Sequence, residues 1–230
     1  MRRSIAFSLV AAGVVVGGCS HSNGPVTGVD SDRAISMNQE RGGFEGAADP
    51  PIRAETYFAA GNLAESNGDL AAAAWQYGEA ARLDPKHKRA LYRQGVCLSQ
   101  LKKFPEAVVA WKAYIEATDG DPIGHSNLGF CHELAGRIDE AESAYLRGIE
   151  REPTNVACRT NYGLMLARVG RTAEATLQLQ AVLTPAEVHY NLASVLEHQG
   201  RKEGAKAEYR RAIELDPHLT DAMTRLSALQ

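Results

Sequence analysis

A chain of 230 residues is long enough to bury a sizeable core without metals or disulfide staples. It is 44% hydrophobic and 23% charged, which argues against wholesale disorder, and 25 basic against 28 acidic side chains give a formal charge of −3, which excludes a broad basic footprint for nucleic acid. Four cysteines are too few and too unevenly placed for a disulfide-built scaffold.

The amino terminus reads separately from the rest. Arg2 and Arg3 precede an apolar run from Ile5 to Val16, and Gly17 and Gly18 lead to Cys19. A run this short is a poor match to about 30 Å of hydrocarbon, and its order is that of an export signal. Val16-Gly17-Gly18-Cys19 resembles the lipobox of bacterial lipoproteins, with Val16 in the place usually held by Leu. That resemblance implies a lipoprotein signal peptide at 1–18, diacylglycerol on the Cys19 thiol and acylation of the new amino group. Each buried acyl methylene contributes roughly 0.8 kcal/mol to the anchor. Ser20 after the cysteine implies the outer membrane, on its periplasmic face; release into the periplasm without lipid is the alternative. Loss of Arg2 and Arg3 leaves 23 basic against 28 acidic residues, or −5, which disfavours electrostatic attachment to anionic lipid.

From 19 to 53 no helix or strand period persists, and Gly, Pro, Ser, Asn and Asp recur up to Pro50-Pro51. This segment is expected to be a flexible linker with a root-mean-square reach of roughly 30 Å.

Beyond it a long period takes over. Gly61, Gly95, Gly129, Gly163 and Ala193 follow one another at intervals of 34, 34, 34 and 30. Twelve residues after each stand Ala73, Ala107, Ala141, Ala175 and Ala205, and the bulky Tyr77, Trp111, Tyr145, Leu179 and Tyr209 keep step. Turns are expected at Gly68, Lys102, Gly136, Gly170 and Gly200. Pro85, Pro153 and Pro217 close three units, where a missing N–H and a clash with the preceding turn stop a helix. Units such as AGNLAESNGDLAAAAWQYGEAARLDP and LASVLEHQGRKEGAKAEYRRAIELDP resemble the tetratricopeptide repeat, whose period is 34 residues.

The resemblance implies an all-α fold, a right-handed superhelical solenoid over 54–230. Its five helix-turn-helix repeats are expected at 54–87, 88–121, 122–155, 156–185 and 186–217, with a capping helix at 218–230. Small residues let the two helices of a repeat approach, and stacking buries faces that one hairpin leaves open. Repeat 4 is four residues short, so its second helix should lose about one turn. Repeat 2 ends in Asp119-Gly120-Asp121 in place of Leu-Asp-Pro, so its loop is expected to be less tightly fixed.

In the family, the first helix of each repeat lines a concave groove. Carried over position by position, repeat 1 supplies Phe58, Asn62 and Glu65, and repeat 2 supplies Arg89, Tyr92, Val96 and Gln100. Repeat 3 supplies Ile123, Ser126, Phe130 and Glu133, repeat 4 Thr160, Leu164 and Arg168, and repeat 5 Glu187, Tyr190, Ser194, Glu197 and His198. The implied partner is an extended segment or helix of another protein, with apolar anchors supplying desolvation and polar groups setting register.

Chemistry finds no foothold. His125 and His132 are seven residues apart on one helix, a separation of about 10 Å that is too wide for one metal. No HExxH, CxxC or phosphate-binding glycine loop is present. Neither catalytic residue, metal nor cofactor is expected. Cys97, Cys131 and Cys158 are expected as buried free thiols, with a Cys131–Cys158 bridge as the alternative.

The expected function is therefore that of a membrane-anchored interaction and assembly factor, held through acylated Cys19. In architecture the chain resembles the repeat lipoproteins that help assemble envelope machines, notably the TadD-type lipoproteins of tight-adherence pili and, less closely, the pilotins of type IV pili. This implies a secretin or another component of a pilus or secretion apparatus as partner. Two alternatives stay open: a scaffold that recruits cell-wall enzymes, and a homodimeric envelope protein.

Overall fold

The computed structural model describes residues 53–229. The expected signal peptide, Cys19 and nearly all of the linker lie outside them. Among the described residues the fold is all α, with eleven helices in chain order: α1 (Ala54–Ser66), α2 (Leu70–Leu83), α3 (Lys88–Gln100), α4 (Phe104–Ala117), α5 (Pro122–Leu134), α6 (Ile138–Arg151), α7 (Val156–Arg168), α8 (Thr172–Gln180), α9 (Pro185–His198), α10 (Lys202–Leu215) and α11 (Thr220–Ala228). Odd and even helices pair into five hairpins, each helix packs on its neighbour in sequence, and α11 closes the stack against α10. The arrangement is a superhelix of about five repeats with a capping helix.

The crossings explain the repeated small residues. A β-carbon on Gly61 would lie 2.5 Å from the Tyr77 ring, one on Gly95 2.6 Å from Trp111 and one on Gly129 2.6 Å from Tyr145. No real β-carbon sits so close, so any side chain there would drive the hairpin apart. In return Tyr77, Trp111, Tyr145, Leu179 and Tyr209 are fully buried, each the central filling of its repeat.

Local signals set the helix ends. Asp69 and Asn155 accept backbone N–H groups at the starts of α2 and α7, and Thr184 with Glu187 forms a reciprocal cap on α9. That cap, followed by Pro185 at the first helical position, lets α9 begin at once after a shortened α8. α8 has 9 residues where the other second helices have 14, a loss of more than one turn. The hairpin turns need left-handed backbone. Four repeats use glycine and the second uses Lys102 at φ 58°, a substitution that costs about 1 kcal/mol.

One expectation is overturned. The Asp119-Gly120-Asp121 loop is closely held: the Tyr114 hydroxyl donates to Asp121 at 2.9 Å, and Arg151 donates to the Asp119 carbonyl oxygen at 2.9 Å. Side chains from α4 and α6 do the work that Leu-Asp-Pro does elsewhere. Cys97, Cys131 and Cys158 are free and buried, which removes the bridge alternative, and burial pushes the Cys97 and Cys158 thiols up to about 11.

Candidate functional site

The first helix of each inner hairpin is packed on most sides and leaves mainly one stripe to solvent. On α5 that stripe is Ile123, Asn127, Phe130 and Leu134, the i, i+4, i+7, i+11 spacing of a single helix face. Ile123 and Leu134 are 42% and 49% exposed, and Phe130 is half-buried between them. The Asn127 amide donates to the Ile123 carbonyl oxygen at 2.9 Å, so part of its polarity is already used. The same stripe reads Glu55, Ala59, Asn62 and Ser66 on α1, and Glu187, Asn191, Ser194 and His198 on α9. The inner face is apolar at its middle repeat and polar at both ends. Half-buried Val96 from α3 and buried Leu164 from α7 border the apolar centre.

The other sequence-predicted residues divide between lining and support. Phe58, only 8% exposed, is wedged between the Tyr77 and His87 rings, and the Arg89 guanidinium covers it 4.6 Å from the ring centre. Tyr92 stands edge-on to Trp111 and Tyr114 at 5.4 and 5.6 Å, and Tyr190 leans on Tyr209 at 5.7 Å. Both tyrosines keep part of their surface exposed. Leu164 belongs to the core beneath the stripe, as do Ser126 and Thr160.

Three carboxylates beside this face are already engaged. Glu65 accepts the Tyr77 hydroxyl at 2.7 Å and the Arg93 guanidinium at 3.1 Å. Glu133 accepts the Tyr145 hydroxyl at 3.2 Å and Arg168 at 2.6 Å. Glu197 accepts the Tyr209 hydroxyl at 2.6 Å and lies 3.6 Å from Arg225. Asn62 takes a second bond from Tyr77 at 2.8 Å. Burial first, and then the facing carboxylate, pushes the three phenols well above the ordinary tyrosine range, so they remain donors. With Glu65, Glu133 and Glu197 neutralised from within, the centre of the face offers apolar surface and amide groups more than unpaired charge.

Sequence reasoning missed Leu134, although it stands four residues after Phe130 and eleven after Ile123 and so follows from the helical period. It also missed Asn127, Asn161 and Asn191, which hold one position in three successive repeats; Asn161 donates to Ser126 Oγ of the preceding repeat at 3.0 Å. Among the described residues no group of three His, Cys, Asp or Glu side chains is placed to hold a metal ion.

Comparisons with known proteins agree with the repeat fold. A family model described as tetratricopeptide repeat matches residues 58–122 and 135–187, and a second of the same description matches 186–219. The mouse BBSome complex member BBS4 is 32% identical over 98 residues, covering 43% of this chain and 19% of that protein. The yeast heat shock protein STI1 (Saccharomyces cerevisiae) is 28% identical over 125 residues, covering 54% of this chain and 20% of that protein. The chain thus spans about a fifth of the length of these relatives. Among solved structures, YrrB, described as a repeat protein with an unusual peptide-binding site, aligns over 84% of this chain and 96% of its own with a TM-score of 0.53 at 23% identity. MamA aligns over 73% and 94% with a TM-score of 0.59 at 16% identity, a likeness of fold alone.

Proposed function

We propose that this chain, which belongs to the tetratricopeptide repeat family, is a lipid-anchored adaptor that grips a segment of another envelope protein on its α5-centred inner face. Protein–protein interaction is the family's general role, and the fold is that of non-catalytic scaffolds. The observation that carries the finer reading is the stripe of Ile123, Phe130 and Leu134: three large apolar side chains aligned on solvent in the middle of an otherwise polar face. Such a patch gains most by being covered, and polar ends fix the register of whatever covers it. The printed description of YrrB as a peptide-binding repeat protein is in keeping with this.

Membrane attachment rests on the Val16-Gly17-Gly18-Cys19 sequence. Acylated Cys19 would hold the repeats near the outer membrane, where a secretin or other component of a pilus or secretion apparatus is the partner we favour.

Both halves of the reading are testable. Ile123→Ser with Leu134→Asp changes side chains that are about half exposed, so unfolding should lose no more than about 2 kcal/mol, while partner capture falls by tenfold or more. A photo-crosslinker at Leu134 should give a discrete adduct in intact cells that the same probe at Val109, 68% exposed on α4, does not. Equal adducts from both positions would sink the groove assignment. Cys19→Ser should release the protein from membranes; continued attachment without lipid label would reject the anchor.

A further inference from the structure

A cavity of about 440 Å³, broadly open to solvent, lies between the amino-terminal half of α5 and the last turns of α6, lined by buried His125 and by exposed Arg147, Glu150 and Arg151. His125 is two residues from Ile123, so by helix geometry it leaves α5 on the side opposite the exposed stripe. The volume suits a small molecule or a single charged group.

The internal repetition of the chain gives this cavity a control. His125 and His189 hold the same position of repeats 3 and 5, and so do Ala144 and Glu208, Arg147 and Arg211, Glu150 and Glu214, and Arg151 and Leu215. In repeat 5 the set is complete: His189 Nδ1 meets the Glu208 carboxylate at 2.6 Å, and Arg211 pairs with Glu214 at 2.8 Å. In repeat 3 the carboxylate is gone, replaced by Ala144, and a second arginine has been gained. His125 is 8% exposed and its Nδ1 has no hydrogen-bond partner among the described residues. Leaving a buried polar atom unpaired costs about 1–3 kcal/mol. Relative to repeat 5, repeat 3 has lost one negative charge and gained one positive charge around an imidazole that lacks its acceptor.

We propose that this cavity takes a small oxyanion, a carboxylate or phosphoryl group, held by the Arg147 and Arg151 guanidiniums beside the His125 ring. Arginine presents the paired donors that match either group. The charged neighbours set its limits. Glu150 lines the same cavity and opposes an anion, and Asp121 caps the start of α5 four residues before His125. Arg151 is steadied by its bond to the Asp119 carbonyl oxygen at 2.9 Å, with the Asp119 carboxylate 3.8 Å away. Burial, and then Arg147 and Arg151, hold His125 below the ordinary histidine range, which favours the neutral ring. A bound anion would draw its proton affinity upward.

That shift is the readout. Imidazole resonances of the full-length chain are followed by NMR as inorganic phosphate or acetate is added, with His125 assigned through His125→Gln. A saturable change confined to His125, with its pKa rising, is expected below about 20 mM of one of the two anions. The stronger response, to phosphate or to acetate, names the group as phosphoryl or carboxylate. Arg147→Gln with Arg151→Gln, both exposed positions, should weaken binding by roughly 30-fold, and Glu150→Gln should tighten it several-fold. No saturable change with either anion, or a response that survives the double arginine substitution, would overturn the proposal.

Discussion

Odd and even repeats solve one packing problem with different chemistry. The buried bulky residue and the residue twelve positions before it are Tyr77 with Glu65, Tyr145 with Glu133 and Tyr209 with Glu197 in repeats 1, 3 and 5. In repeat 2 they are Trp111 with Ser99, the indole N–H donating to the hydroxyl at 3.2 Å, and in repeat 4 Leu179 with Ala167. A buried donor is given an acceptor, and a buried hydrocarbon is given a methyl group. The acceptors then reach onward. Arg93, Arg168 and Arg225 each bring the charge of the following hairpin or cap onto the glutamate, whereas Ser99 contacts Cys131 Sγ of repeat 3 at 3.2 Å without charge. At this position the links from repeat 1 to 2, 3 to 4 and 5 to the cap are therefore ionic, and that from 2 to 3 is neutral, its ion pair lying instead at the loop between Arg151 and Asp119. Polar identity at one buried position thus decides how a repeat is joined to the next.

The heaviest way to break this pattern is to empty it. Tyr145→Ala should cost about 4 kcal/mol, because it opens a large cavity under Gly129 and strips Glu133 of its phenol. Urea unfolding measures this, and a loss under about 1 kcal/mol would show that the central filling is not what holds repeat 3. A finer cut is Glu133→Ala, which leaves the Tyr145 hydroxyl and the Arg168 guanidinium without their acceptor and should cost about 2 kcal/mol. Adding Tyr145→Leu to Glu133→Ala rebuilds the pair that repeat 4 already uses. The double variant should then be more stable than the sum of the two single losses by about 1 kcal/mol. Strict additivity would mean that the matched pairs are coincidence of sequence and not energetic coupling.

Much of this was readable in advance, and the parts that were not share a cause. The small residues, the bulky fillings and the hairpin turns repeat at the 34-residue period, so periodicity alone locates them. The α5 stripe follows from helical spacing, which makes Leu134 an oversight of reading and not of principle. The arginine partners are different: Arg93, Arg168 and Arg225 stand 28, 35 and 28 residues after their glutamates, intervals set by side-chain reach across a junction and not by the repeat. Phe58 sits at a lining position, yet His87 and Arg89 happen to cover it. The Asp119-Gly120-Asp121 loop, which lacks the usual closing proline, is held by an arginine 32 residues away. His125 and His189 are identical residues at identical positions and differ because Glu208 faces one of them while Ala144 stands in for it at the other, where Arg151 also replaces the equivalent of Leu215.

The smallest effect concerns the same contrast between repeats 3 and 5. His132 is buried with an unpaired Nδ1, at the position that Leu196 fills in repeat 5. Burial, and then Arg137, lowers its proton affinity below that of a free histidine, as burial and two arginines do for His125. Above the ordinary histidine pKa of about 6.5 both the folded and the unfolded chain carry neutral rings, and stability is indifferent to them. As pH falls below that value the unfolded chain binds protons that the folded chain refuses, so stability declines. His132→Leu copies repeat 5, removes one such ring and frees the core of an unpaired nitrogen. Its urea midpoint should exceed that of the natural chain by more at about pH 5 than at about pH 8. A gap of constant size would mean that His132 takes up its proton equally in both states, and that hydrocarbon packing alone separates the two repeats at this position.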